Sequence, residues 1–148
     1  MRFFTVYGPR QRPDLAIAKF TRLIDTGGPI PFYGDGSTER DYTYIDDIID
    51  GIRKCIEWQF GQPAGFYDVF NVGESTTIRL DELVKTLEKK LGKPAEQKVL
   101  PPQPGDVART YADITKARET FGYDPQTDID EGIRRYVAYY REHKCLYG

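Results

Sequence analysis

Hydrophobic positions change period several times along the chain. Arg2 to Tyr7 (RFFTVY) is aromatic or β-branched at nearly every position and is stopped by Gly8-Pro9, the pattern of a buried strand. From Pro13 the spacing turns helical through Leu15, Ala16, Ala18, Phe20, Leu23 and Ile24, until Gly27-Gly28-Pro29 ends the run. Ile30 to Tyr33 and Arg40 to Tyr44 are short strand candidates around Gly34-Asp35-Gly36-Ser37, and a hairpin is their simplest reading. Asp46 and Asp47 open a helix with Ile48, Ile49, Ile52, Cys55 and Ile56 on one buried face, which makes Cys55 a packing residue. Asp68 to Val72 reads as a further strand. Leu80, Leu83, Val84, Leu87 and Leu91 form a helical stripe ended by Gly92 and Pro94. Asp113 can cap a short helix that stops before Gly122, and Asp128 with Glu131 has capping-box spacing beside Ile129, Ile133, Tyr136, Val137 and Tyr140. The expectation is a mixed α/β fold of about five helices and four or five short strands.

At 148 residues the chain predicts one domain, 1–148. A chain of this size buries about 68–70% of its unfolded surface, enough for a core without metals or disulfides. Lys and Arg number 21 against 23 Asp and Glu, so the basic excess of a nucleic-acid protein is missing. No apolar run approaches a membrane span of about 20 residues, and MRFFTVYGPRQRP lacks the apolar stretch of a signal peptide, so a cytoplasmic location is expected. Cys55 and Cys145 are too few and too far apart for a zinc motif or a disulfide framework and read as reduced thiols. The single histidine, His143, lies in a polar tail and reads as a solvated surface residue, which removes histidine triads and His-rich metal sites.

Tyr7-Gly8-Pro9-Arg10-Gln11-Arg12-Pro13 follows a strand and precedes a helix, where α/β folds place ligands. Its two guanidinium forks suit a carboxylate or phosphate; the alternative is two solvent-facing arginines on an ordinary loop. Gly34 and Gly36 lack the third glycine of GxGxxG, and no Gly-Lys-Ser/Thr follows, so that segment reads as a turn. Asp46, Asp47 and Asp50 are explained by the dipole at a helix start without a metal. Tyr140 and Lys144 match the Tyr-x-x-x-Lys spacing that lowers a phenol's pKa for proton transfer, but Tyr140 continues an apolar stripe and the match reads as coincidence.

Residues 2–14, RFFTVYGPRQRPD, resemble the start of the C-terminal half of the extended short-chain dehydrogenase/reductases, the NAD-dependent nucleotide-sugar epimerases and dehydratases. Four further stretches agree in the same order: Gly34-Asp35-Gly36 with Arg40-Asp41-Tyr42-Thr43-Tyr44-Ile45-Asp46-Asp47; Phe70-Asn71-Val72-Gly73; Gly105-Asp106-Val107 with Tyr111-Ala112-Asp113; and Lys116-Ala117 with Phe121-Gly122-Tyr123.

The resemblance implies a small mixed α/β substrate-binding domain without the N-terminal Rossmann half. That half carries the glycine-rich NAD loop and the catalytic Ser/Thr and Tyr-x-x-x-Lys. On this expectation the chain is a truncated product, a domain or one part of a split enzyme. It is inactive alone, with NAD a cofactor of the full-length family rather than of this chain. Carried over by position, Phe4 resembles the residue beside the nicotinamide, Tyr7 and Pro9 the wall of that cleft, and Thr5 a contact to sugar or pyrophosphate. Leu15 and Ala16 resemble backbone contacts to the nucleotide, and Pro31, Phe32 and Tyr33 the segment around uracil. Arg40 and Tyr42 match ribose and pyrophosphate contacts, and Asp106 an acceptor for a ribose hydroxyl. Gln103 stands where many relatives have a second pyrophosphate arginine. Thr5 with Arg12 most resembles the UDP-glucuronate 4-epimerases, in which such an arginine pairs with the sugar carboxylate. UDP-glucose, UDP-galactose and dTDP-glucose are the alternative substrates. A stand-alone nucleotide-sugar-binding or interaction module is the alternative role. The expected partners are a UDP-sugar, a separate Rossmann half, and a second copy joined through strand 2–7 and helix 46–60.

Overall fold

A computed structural model describes residues 1–146. The elements run β1 (Arg2–Phe3), β2 (Thr5–Tyr7), α1 (Ala16–Thr26), β3 (Ile30–Tyr33), β4 (Glu39–Arg40) and β5 (Tyr42–Tyr44). They continue through α2 (Ile45–Gln59), β6 (Asn71–Val72), β7 (Ile78–Arg79), α3 (Leu80–Leu91), β8 (Gln97–Leu100), α4 (Thr115–Phe121) and α5 (Ile129–Glu142). The fold is mixed α/β, and its strands are shorter and more numerous than the periodicity suggests.

The 2–7 stretch divides at Phe4. β1 pairs in parallel with β6, and β2 in parallel with β5, setting Thr5 opposite Tyr42 and Tyr7 opposite Tyr44. The expected hairpin does not form. β3 pairs in parallel with β8, while β4 pairs antiparallel with β7. The cause lies in the faces: Ile30 and Phe32 point into the core, so β3 joins the helical layer, and the chain at Asp41 is held by donors from elsewhere. β8 is polar and mostly exposed, so no alternation marks it in sequence. The strand expected over 68–72 shrinks to two residues, because Asp68 and the Val69 carbonyl bind Lys116 instead.

Tyr7, Ile17, Phe20, Ile24, Ile30, Phe32, Leu83, Leu87, Ile133 and Tyr136 form the main core, with α3 packed against both α1 and α5. A second core gathers Ile48, Phe70, Val72, Ala112, Ile114, Ala117 and Tyr123. The α3 stripe is buried as its spacing predicts, and Asp128 caps α5 by accepting from the Glu131 amide at 2.8 Å. On α2 the buried face is rotated from the expected one. Asp47, Ile48 and Gly51 face inward, leaving Ile49 54% and Ile56 49% exposed. Asp47 earns its burial by accepting from the Gln126 and Thr127 amides at 3.0 and 3.1 Å, and Cys55 is only half-buried. His143 is not a free surface residue: its ring stacks on Tyr139 with centroids 4.2 Å apart, and its Nδ1 lies 2.9 Å from the Tyr139 carbonyl.

α5 crosses β2 at Gly132, where an added Cβ would overlap the Tyr7 hydroxyl and lie 2.7 Å from the ring carbon bearing it. Gly132→Ala is therefore expected to lower stability by about 1–3 kcal/mol in denaturant unfolding, with partial recovery in a Tyr7→Phe background. Equal losses in both backgrounds would show that the hydroxyl is not the obstacle.

Glu74 sits near Asp41, Asp47 and Asp128, and burial first, then these carboxylates, push its pKa up to about 8 from 4.5. Between those pH values the folded chain keeps a proton that the unfolded chain has released, so Glu74 makes stability fall as pH rises through the window and level off above it. Glu74→Gln should flatten that slope in unfolding midpoints measured from pH 5 to 9. Parallel curves for the two proteins would remove Glu74 as the cause.

Candidate functional site

A cleft of about 330 Å³ opens between the start of α1, β3, the β4–β5 segment and the 103–106 loop. Pleat alternation decides which residues reach it. Along β3, Pro31 and Tyr33 face the cleft, while Phe32 turns into the core. Arg40 and Tyr42 face it from the next segment, Ala16 and Lys19 from α1, and Gln103 and Asp106 from the loop.

Arg40 is held on two sides. Its Nη2 meets Asp106 Oδ1 at 2.5 Å, and its Nη1 donates to the Glu39 carbonyl at 2.8 Å. The Arg40 side chain is only 20% exposed, so little solvent competes for its fork. Glu39 is itself fixed by Arg109 at 3.0 Å and by the Thr77 hydroxyl at 2.7 Å. Burial pushes the Tyr42 phenol up to about 12. Its ring meets Tyr7 edge to face at 6.2 Å.

α1 differs from its neighbours at its start. No side chain caps it and no acid lies in its first turn, whereas α2, α3 and α5 each carry two acids there. The positive end of its dipole thus faces the cleft beside Ala16, with Asp14, just before the helix and occupied by Arg12, the one carboxylate of that end that lines the cleft.

A second hollow of about 280 Å³ is lined by Tyr7, Pro9, Arg12 and Leu15, the last of which stands in the chain between Asp14 and Ala16 of the first cleft. The rim of this hollow is the Gly8–Arg12 turn. The Gly8 amide donates to Gln11 Oε1 at 3.2 Å, and Arg10 takes a left-handed φ of 62°, a conformation rare for a residue with a side chain. Arg12 is 75% exposed and lies fork to fork with Asp14 at 2.6 and 3.1 Å. Of the residues singled out in sequence, Ala16, Pro31, Tyr33, Arg40, Tyr42, Gln103 and Asp106 line the main cleft, and Tyr7, Pro9, Arg12 and Leu15 the second hollow. Thr5 lies half-buried in the β2–β5 pair, and Phe4 packs on the second core; neither lines either space.

Lys19 and Thr38 also line the cleft and escape the sequence reading. Lys19 was detectable in principle, since it lies three residues beyond Ala16 on the same helical face. The sequence contains no GxGxxG loop. Tyr140 is buried with its hydroxyl 3.2 Å from Asp25, and Lys144 binds that same carboxylate at 2.7 Å, a structural arrangement. Among the described residues, no cluster of three or more His, Cys, Asp or Glu could hold a metal, and no helix is long and apolar enough to cross a membrane.

Comparison with known proteins fits this geometry. The family model described as GDP-mannose 4,6 dehydratase matches residues 1–136. An uncharacterized protein of Methanocaldococcus jannaschii is 44% identical over 97% of this chain and 43% of its own length. The UDP-glucuronate 4-epimerase of Thermodesulfobacterium geofontis is 38% identical, again over 97% of this chain and 43% of its own length. The crystal structure of UDP-glucuronic acid 4-epimerase from Bacillus cereus, in complex with UDP-glucuronic acid and NAD, superposes with a TM-score of 0.87 at 35% identity, covering 95% of this chain and 44% of that one. The chain thus spans less than half the length of these relatives. It belongs to the GDP-mannose 4,6 dehydratase family, within the extended short-chain dehydrogenase/reductases that include the UDP-glucuronate 4-epimerases.

Proposed function

We propose that this chain is the nucleotide-sugar-binding part of an NAD-dependent 4-epimerase, acting on UDP-glucuronate and not catalytic alone. The observation that carries this reading is the convergence of Arg40, Tyr42, Gln103 and Asp106 with the open start of α1 on one cleft. Pro31 and Tyr33 offer flat surface to a base, and Asp106 an acceptor for ribose hydroxyls. The diphosphate takes the Arg40 fork and the first-turn amides of α1. Gln103 contributes a neutral hydrogen bond. The sugar then extends past residues 14–16 toward the second hollow, where Arg12 exchanges the Asp14 carboxylate for that of a uronate. The exchange is easy because the Arg12–Asp14 pair is solvated on both sides. Neutral sugars such as glucose or galactose leave Arg12 on Asp14, which favours the uronate. NAD, when bound in the complete protein, supplies hydride transfer; this chain's residues bind and orient the sugar nucleotide.

The same reading assigns an interface to the outer edge of β1, where Met1 and Phe3 are exposed, and to Ile49 and Ile56 of α2. Its occupant is an NAD-binding half or, for the chain alone, a second copy. Light scattering at high concentration should give a dimer, and a clean monomer would count against self-association.

Calorimetric titration tests the site itself. UDP-glucuronate should bind saturably, Arg40→Ala should weaken binding by at least about tenfold, and Arg12→Ala should reduce the preference over UDP-glucose. Absence of binding at millimolar ligand would sink the reading.

A further inference from the structure

Between Arg40 and Tyr42, which both line the cleft, stands a carboxylate that lines nothing. Asp41 is fully buried. Its Oδ1 accepts from the Glu74 amide at 2.9 Å and the Thr43 hydroxyl at 3.3 Å, and its Oδ2 from the Ser75 and Ala112 amides at 3.1 and 3.0 Å. Its own amide donates to the Thr110 hydroxyl at 3.1 Å. The donors come from three stretches far apart in sequence, and every contact runs away from the cleft.

Successive side chains of an extended segment point to opposite sides. Anchoring Asp41 inward therefore turns Arg40 and Tyr42 outward together. The same anchor draws in the 110–112 end of the stretch that carries Asp106 and Arg109, the partners of Arg40 and Glu39. Resting on the nucleotide-sugar reading, we propose that Asp41 is a positioning residue for diphosphate recognition: it touches no ligand, yet sets where Arg40 and Tyr42 stand.

Asp41→Asn discriminates this from a purely structural role. Each carboxylate oxygen accepts from two donors, so an amide nitrogen in either orientation faces two N–H or O–H groups and the anchor loosens. The probes are UDP and uridine, titrated by NMR or calorimetry against the 148-residue chain. Affinity for UDP should fall about tenfold or more, while affinity for uridine stays within about twofold. In an Arg40→Ala background, Asp41→Asn should cost little further UDP affinity, because it acts through that arginine.

Unchanged UDP affinity, or equal losses for UDP and uridine, overturns the proposal. Failure of the unaltered chain to bind UDP overturns the nucleotide reading and this inference with it. If Asp41→Asn does not fold, Thr110→Val carries the test, since it removes only the hydroxyl holding the Asp41 amide. A loss of about threefold for UDP and none for uridine is expected, and an equal loss for both overturns it.

Discussion

Sheets of two strands leave much backbone without a ladder partner, and this molecule is made of such sheets. Buried amides must find acceptors within the protein or weigh against folding. Here two carboxylates supply them. Asp41 serves the amides of Glu74, Ser75 and Ala112, and Asp47 those of Gln126 and Thr127. Hydrogen bonds to a charged group are worth about 1.5–3 kcal/mol, roughly twice a neutral one. The irregular stretches between helices are thereby tied to β4, β5 and α2 as firmly as strands would be. Burial lifts the Glu74 pKa first, and the negative charge gathered at Asp41 and Asp47 adds to it.

The cleft inherits its order from that scaffold. Arg40 and Arg12 each meet a carboxylate before any ligand arrives, but in different settings. Arg40 is mostly enclosed and leans on a backbone carbonyl as well as Asp106, so its direction is fixed. Arg12 and Asp14 stand in water and part at little cost. On the proposed reading, the first arrangement suits a group present in every nucleotide diphosphate, and the second a group that distinguishes one sugar from another.

Elements whose own sequence contains their reason for existing are legible from it. The α3 stripe and the Asp128 cap of α5 need no distant partner to be recognised, and both stand as the spacing indicates. β8 is written QKVL and exists because β3 lies beside it, so its cause is seventy residues or so away in the chain rather than in its pattern. α2 misleads for a related reason. Gly51 packs against the Tyr123 ring and Asp47 takes two amides, so contacts invisible to periodicity rotate the buried face away from Ile49 and Ile56. In the site, the motif RDYTYIDD marks Arg40 and Tyr42 through resemblance, but the work of Asp41 depends on residues 74, 75, 110 and 112, which no local pattern connects to it.

The contact between Tyr7 and Gly132 has a temporal meaning as well as a spatial one. The ring occupying the space below α5 belongs to the second strand, and three of the four strand pairings join segments in parallel across long loops. High contact order of this kind delays closure of the core, since loop entropy is lost before native contacts repay it. During synthesis β2 can pair once residues 42–44 emerge and β1 once residues 71–72 do, but the Tyr7 ring must wait for Gly132 of α5. Assembly of the core is a late, collective event rather than growth from the amino end, with RFFTVY the stretch most in need of shielding meanwhile.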